Sequence, residues 1–206
     1  MTLSDRDRRV LRLFAAVVLG RWDELRALRR AATAGEPDRA WREAVLQAHV
    51  FAGFPRAVEA YGVLAASGGL GEPAPDEALS EPERPDRGRE LFERIYGGHA
   101  TRVREFLEEG HADFARWVLG HAYGRVLTRP GLPADRRELL AIVALAAFGQ
   151  ERQLASHVRG ALRCGASESE VVEALESVRD LVGDAHCDSA LRVARRFANA
   201  DGFDQR

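Results

Sequence analysis

The sequence predicts an all-α protein made of two pseudo-repeats, and three observations carry that prediction. Apolar residues recur at three- and four-residue spacing along most of the chain, the period of helices with one buried face. Alternating β-branched runs bounded by two-residue turns, which would signal strands, are absent. Finally, Arg8, Ala15, Gly20, Leu25, Arg30 and Ala32 recur 129 positions later as Arg137, Ala144, Gly149, Leu154, Arg159 and Ala161. After a one-residue insertion, Gly35, Glu43, Ala44, Gly53, Ala60 and Val63 recur as Gly165, Glu173, Ala174, Gly183, Ala190 and Val193. Glycines at matching helix ends and alanines at matching core positions over this length indicate a diverged duplication.

The elements follow in order. Ser4 as N-cap, with Asp7 three residues on, starts a helix that runs to about Leu19 and is broken by Gly20. A second helix carries Trp22, Leu25, Leu28 and Ala32 on one face and ends at Gly35. After Pro37 a third runs from about Asp38 to Phe51, stopping at Gly53-Phe54-Pro55, and a fourth runs from Pro55 to about Ala66. Residues 67–86 concentrate glycine, proline and acid, with too little apolar surface to fold alone, and read as a linker between units 1–66 and 87–206. Helices resume at 88–96, 99–109 and 113–126. Two prolines and a glycine make Thr128–Pro133 a rigid loop. Four helices follow, at 134–148, 151–163, 168–182 and 185–199, the third opened by a Ser167–Glu170 capping box.

Composition narrows the function classes. The 30 basic residues are all arginine, they alternate with 32 acids, and the net charge is −2, so no basic arm or stripe suits nucleic acid. The longest apolar run, Leu139 to Phe148, suits a buried core helix and is too short to cross a bilayer. The N-terminus lacks the layout of a signal or transit peptide, so a cytoplasmic protein is expected. Cys164 and Cys187 are far apart and read as small buried hydrophobes. No group has metal-ligand spacing, and neither a phosphate loop nor a nucleophile elbow is present.

An ordered string of motifs carries a family likeness. His121-Ala122-Tyr123-Gly124, Thr128-Arg129-Pro130-Gly131-Leu132-Pro133 and Arg137-Glu138-Leu139 come first, followed by Gln153-Leu154-Ala155-Ser156-His157, Gly160-Ala161, Cys164-Gly165-Ala166-Ser167 and Glu170-Val171-Val172-Glu173. This resembles the carboxymuconolactone decarboxylase family, within the alkyl hydroperoxidase D superfamily. The likeness covers roughly 88–183 well. It covers 8–66 more weakly, through Glu43-Ala44-Val45-Leu46-Gln47 and Phe51-Ala52-Gly53-Phe54-Pro55-Arg56-Ala57. The resemblance implies two helical repeats of the alkyl hydroperoxidase D-like fold and a homo-oligomer, with a trimer favoured for a double-repeat chain.

The hydroperoxidase branch joins a glutamate, two cysteines and a histidine in a proton relay and redox centre. Carried over residue by residue, the glutamate falls on Glu138 and the histidine on His157, while the cysteines fall on Gln150 and Gln153. An amide supplies neither a thiolate nucleophile nor a resolving thiol, so the peroxidase reading loses its chemistry. The decarboxylase branch needs no metal or organic cofactor: donors stabilise the developing oxyanion and an acid delivers a proton to carbon. In that reading His157 and Glu138 are catalytic, and Arg137 or Arg129 clamps a carboxylate. Gln150 and Gln153, which share a helix face with His157, contribute to binding, as do Glu43 and His49 from the first half. Two departures stand against it: Gln153 replaces an acid, and Glu138 stands where decarboxylases often have a small residue.

Each candidate also has a plainer reading. His157 alone suits a hydrogen-bonded core histidine, and Arg129 suits a tie between a loop and an acid or a helix end. His121 reads as structural, and His99, His111 and His186 as loop or surface residues. The function expected is that of a cofactor-independent, decarboxylase-like enzyme acting on a small carboxylated or lactone-type metabolite. The alternative is a hydroperoxidase relative that has lost activity and serves as an assembly or ligand-binding module.

Overall fold

The computed structural model describes residues 2–33, 36, 38–73, 75–77 and 85–198. Among them the chain is all helical. The first helix, α1 (Asp5–Leu19), opens on the predicted capping box: Ser4 Oγ accepts from the Asp7 amide, and the Asp7 carboxylate accepts from the Ser4 amide. Gly20 ends it in the left-handed region at φ 69°, where a side chain would be strained. The next element is α2 (Trp22–Ala31). Its predicted stop at Gly35, like Pro37 before the next helix, lies outside the described residues.

The third and fourth predicted helices form one bent rod, α3 (Arg39–Ala66). Gly53 makes the bend with φ 80° and ψ 165°, and Pro55 just beyond it leaves one backbone amide fewer to satisfy. The start of the predicted linker is strapped to the body: Arg29 donates to the carbonyls of Gly68 and Gly69, and Arg42 to that of Leu70. Residue 74 and residues 78–84 of that stretch lie outside the described residues.

Next come α4 (Pro85–Tyr96), α5 (Ala100–Gly110) and α6 (Ala112–Trp117). From Val118 to Leu127 the coil of α6 widens into a π-helix, where the sequence pattern predicts ordinary helix. There α4 crosses at glycines: a Cβ on Gly88 would lie 2.8 Å from the Gly124 backbone. Four elements were expected after the Thr128–Pro133 loop, and five are present: α7 (Ala134–Ala147), α8 (Glu151–Cys164), α9 (Glu168–Glu176), α10 (Arg179–Val182) and α11 (Asp184–Ala198). The predicted helix 168–182 is interrupted at Ser177 and Val178. Ser177 Oγ takes the Ala174 carbonyl and Arg12 takes the Ser177 carbonyl, which stabilises the break.

One apolar core runs through both halves of the chain. Residues Leu13 to Val17 of α1 are fully buried against α3 and α7, in a cluster that extends to α8, α9 and α11. A smaller cluster joins Leu91, Phe92 and Ile95 of α4 to Ala122, Tyr123 and Leu127. Two pairs of positions 129 or 130 residues apart adopt matching backbones. The N-caps Arg21 and Gln150 have φ/ψ of −81°/71° and −88°/64°, and the breaks at Gly53 and Gly183 have 80°/165° and 93°/147°. The halves also exchange corresponding ion pairs: Arg137 holds Glu43 at 2.8 Å, and Arg8 holds Glu173 at 2.7 Å.

Candidate functional site

Helices α7 and α8 pack side by side and bring Glu138 and His157 together. The Glu138 carboxylate is 1% exposed, and its Oε2 accepts from His157 Nδ1 at 2.9 Å. That contact is possible because Gly160, one turn beyond His157, has no side chain. A Cβ there would lie 2.7 Å from Glu138 Oε2 and 2.7 Å from Ile95 Cγ2. With Nδ1 committed to the carboxylate, the tautomer is set and Nε2 is the nitrogen left to accept or donate a proton. The ring is wedged edge-on between Phe51 of α3 and Tyr96 of α4, with centroids at 6.4 and 6.3 Å.

His157 reaches a cavity of about 610 Å³, walled by α4, α5, α6, the π-helical turns and α8. Phe51, Ile95, Tyr96 and Tyr123 give it apolar and phenolic surface. At its edges stand Arg102, Arg152, Arg159 and Arg163, and none of its described lining residues is an aspartate or glutamate. Such a cavity suits a small, flat anion. Two of the arginines have visible structural work: Arg163 donates to the Ile95 carbonyl at 2.9 Å, and Arg159 lies over the Phe197 ring. Arg152 covers Phe106. Arg102 is exposed on α5 and makes no ion pair with the described residues.

The other sequence candidates divide. Gln153 lines the cavity. Gln150 is the exposed N-cap of α8. Arg137 and Arg129, expected to clamp a substrate carboxylate, are instead bound to Glu43, which is 2% exposed and needs cations around it. Arg129 grips it through Nε and NH2 at 2.9–3.1 Å. Arg137, itself 1% exposed, adds one bond to Glu43, one to Gln47 Oε1 at 3.1 Å and one to the Arg129 carbonyl. Gln47 returns a bond to the Arg137 carbonyl. This cluster ties α3 to α7, and none of its four side chains is among those lining the cavity. His49 is also set apart: its ring stacks on Phe54, and its Nε2 lies 2.7 Å from Nε2 of His121.

Several cavity residues escaped the sequence reading. His99, expected as a loop or surface residue, is exposed at the end of a 3₁₀ turn, Gly97–His99, and lies on the cavity wall. Tyr123 stood inside the quoted His121–Gly124 motif and Tyr96 inside the run 88–99 of the family likeness, yet nothing in the spacing tied either to His157; Arg102 and Arg152 had no motif. Cys187 is buried as the sequence suggested, and Cys164 only partly so. Burial, reinforced by the charge of Glu138, pushes Cys164 up to about 12, and burial also raises Cys187. Neither is a ready thiolate at neutral pH.

The model of the carboxymuconolactone decarboxylase family matches residues 112–196, from α6 through most of α11. A 4-carboxymuconolactone decarboxylase from Acinetobacter baylyi is 32% identical over 96 residues, spanning 46% of this chain and 72% of that protein. The chain belongs to the carboxymuconolactone decarboxylase family. Peroxisomal protein 2 from Schizosaccharomyces pombe is 30% identical over 138 residues, 65% of this chain and 64% of that one, so the likeness extends beyond the family's core segment. Among the described residues no helix is long and apolar enough to cross a membrane.

Proposed function

We propose that the protein is a cofactor-independent enzyme that acts on a small carboxylated, lactone-type metabolite by proton transfer through His157. The observation that carries this reading is a carboxylate-held imidazole opening on a cavity edged by arginines and free of acids among its described lining residues. Arg102 and Arg152 receive the substrate carboxylates at the mouth. The apolar wall takes the ring. As carbon dioxide leaves, the electron pair spreads into the conjugated lactone, and His157 Nε2 delivers a proton to carbon. Glu138 keeps the imidazole in one orientation and supports its protonated form. The decarboxylase relative supports this substrate class. A cavity of this size at His157 speaks against a purely structural assembly role, which calls for a filled site.

The assembly belongs to the same proposal. Phe54, Val58 and Tyr61 form an exposed i, i+4, i+7 stripe on α3 beyond the Gly53 bend, at 67%, 65% and 42% exposure. A stripe of that kind supports a homo-oligomer, and the family resemblance favours a trimer.

The test follows the ultraviolet absorbance of 4-carboxymuconolactone with wild type and His157→Ala. Turnover by the wild type that falls by about 10²–10⁴ in the variant is expected for a general acid. Absence of turnover at high enzyme concentration rejects this substrate, and undiminished turnover in His157→Ala rejects the proton-transfer role.

A further inference from the structure

Proton transfer to carbon is half of a decarboxylation; the other half is the oxyanion that exists before the proton arrives. The cavity wall holds two phenols that the His157 chemistry leaves unused. Tyr123, from the π-helical turns, is 4% exposed, and its hydroxyl donates to the hydroxyl oxygen of Tyr96 at 3.2 Å. Tyr96 closes α4, and its ring stands edge-on to His157. A phenol has one proton to give. Tyr123 spends its own on Tyr96, so the Tyr96 proton is the free one, and no acceptor for it is present among the described residues. Burial raises both phenols, with the Tyr123 hydrogen bond opposing the effect at Tyr96, so both keep their protons at neutral pH. They are donors rather than acids. Phenylalanine would fill the same space between Phe92 and His157 without burying a hydroxyl.

We propose that Tyr96, positioned by Tyr123, donates the hydrogen bond that holds the oxyanion formed as carbon dioxide leaves. This rests on the decarboxylase reading above and narrows its substrate class. The substrate needs a carbonyl conjugated, through a carbon–carbon double bond, with the carbon that bears the departing carboxylate. The carbon–carboxylate bond breaks with its electron pair retained by the ring. The pair moves through the double bond onto the carbonyl oxygen, where Tyr96 meets it, and carbon dioxide departs. Protonated His157 gives its Nε2 proton to the ring carbon, the carbonyl re-forms, and the imidazole regains a proton from water. Tyr96 keeps its proton throughout. A saturated carboxylate offers no such oxygen and is not turned over.

Two measurements test this on the full chain: kcat and KM with 4-carboxymuconolactone, and absorbance titration of 4-nitrophenol, a planar probe whose phenolate oxygen stands in for the oxyanion. Tyr96→Phe is expected to lower kcat by about 10²–10³ with KM changed by only a few-fold, the usual effect of losing one oxyanion donor. Tyr123→Phe leaves the Tyr96 donor in place but unheld, and lowers kcat less, by about tenfold. The bound probe ionises at lower pH than free probe in wild type and in His157→Ala, and Tyr96→Phe abolishes that difference. Unchanged kcat and unchanged probe ionisation in Tyr96→Phe overturn the proposal. Should wild type turn over the lactone while Tyr96→Phe is silent in both measurements, the decarboxylase reading stands and this one falls. Should the lactone be untouched while probe ionisation depends on Tyr96, the oxyanion site stands and that substrate falls. No turnover and no probe binding overturn both.

Discussion

Arg137 and Glu138 are neighbours on α7, each 1% exposed, yet they serve two different regions. Arg137 faces α3, where Glu43, Gln47, Arg129 and a backbone carbonyl surround its guanidinium. Glu138 faces α8, where its hydrogen-bond partner is one imidazole, and that imidazole reaches a cavity. Burial alone therefore does not tell the two regions apart. The first region sets two fixed cations around one carboxylate, a cross-brace between the halves of the chain. The second joins a carboxylate to an imidazole, a group able to carry a proton, beside space for a ligand.

The difference is testable in the two quantities that the regions govern. Glu43→Gln keeps the volume but leaves Arg129 and the buried Arg137 without their anion, which in a buried pair costs about 3–5 kcal/mol. For a chain of this length that is a fall in Tm of roughly 6–20 °C. His157→Ala loses the turnover that Glu43→Gln keeps, and its Tm falls as well, because Glu138 is left buried without its partner. Calorimetry of both variants beside their kinetics decides. If Glu43→Gln keeps its Tm and loses turnover as His157→Ala does, the brace belongs to the active site and the comparison breaks down.

This contrast also explains how much was legible beforehand. The helices were, because periodicity, the Ser4 and Ser167 caps and the glycine stops are local signals. The break at Ser177–Val178 was not, since it depends on Arg12, which arrives from α1. Of the site, the Glu138–His157 pair was legible through a family motif and its spacing. Arg129 and Arg137 were reasonable anion clamps by residue type. What sequence did not convey is that Glu43, some 90 residues earlier, folds back to occupy them both. The cavity's own cations, Arg102 and Arg152, stand on helices brought together only by tertiary packing.

Gly160 sharpens the comparison from the catalytic side. Alanine improves helix propensity by about 1 kcal/mol. Its Cβ, however, meets Glu138 Oε2 and Ile95, and overpacking a core costs about 1–3 kcal/mol. The net change in Tm should be small. The carboxylate that must move is the one orienting His157, and misplacement on the scale of 1 Å can cost about 10²-fold. Turnover in Gly160→Ala should fall by about 10- to 10²-fold, with Tm shifted by a few degrees. A large loss of Tm with unimpaired turnover would mean that Ile95, and not Glu138, gives way.

The smallest effect is expected at the counterpart of the brace. Arg8 and Glu173 stand at the positions that sequence spacing pairs with Arg137 and Glu43, and they make the same contact across the halves at 2.7 Å. Their side chains are 39% and 23% exposed, against 1% and 2% for Arg137 and Glu43. Glu173 Oε2 also accepts the Leu3 amide at 3.0 Å, so it keeps a partner when Arg8 is removed. Water and salt screen such a pair, and exposed ion pairs contribute about 0–1 kcal/mol. Arg8→Ala should lower Tm by no more than about 4 °C, and the deficit should shrink in high salt. If it instead matches Glu43→Gln and resists salt, the duplicated contact itself holds the halves together at both places. Burial would then not be what separates the two pairs. A small, salt-sensitive change means that one brace has been sealed into the core while its twin stayed at the surface, where the same residues do much less.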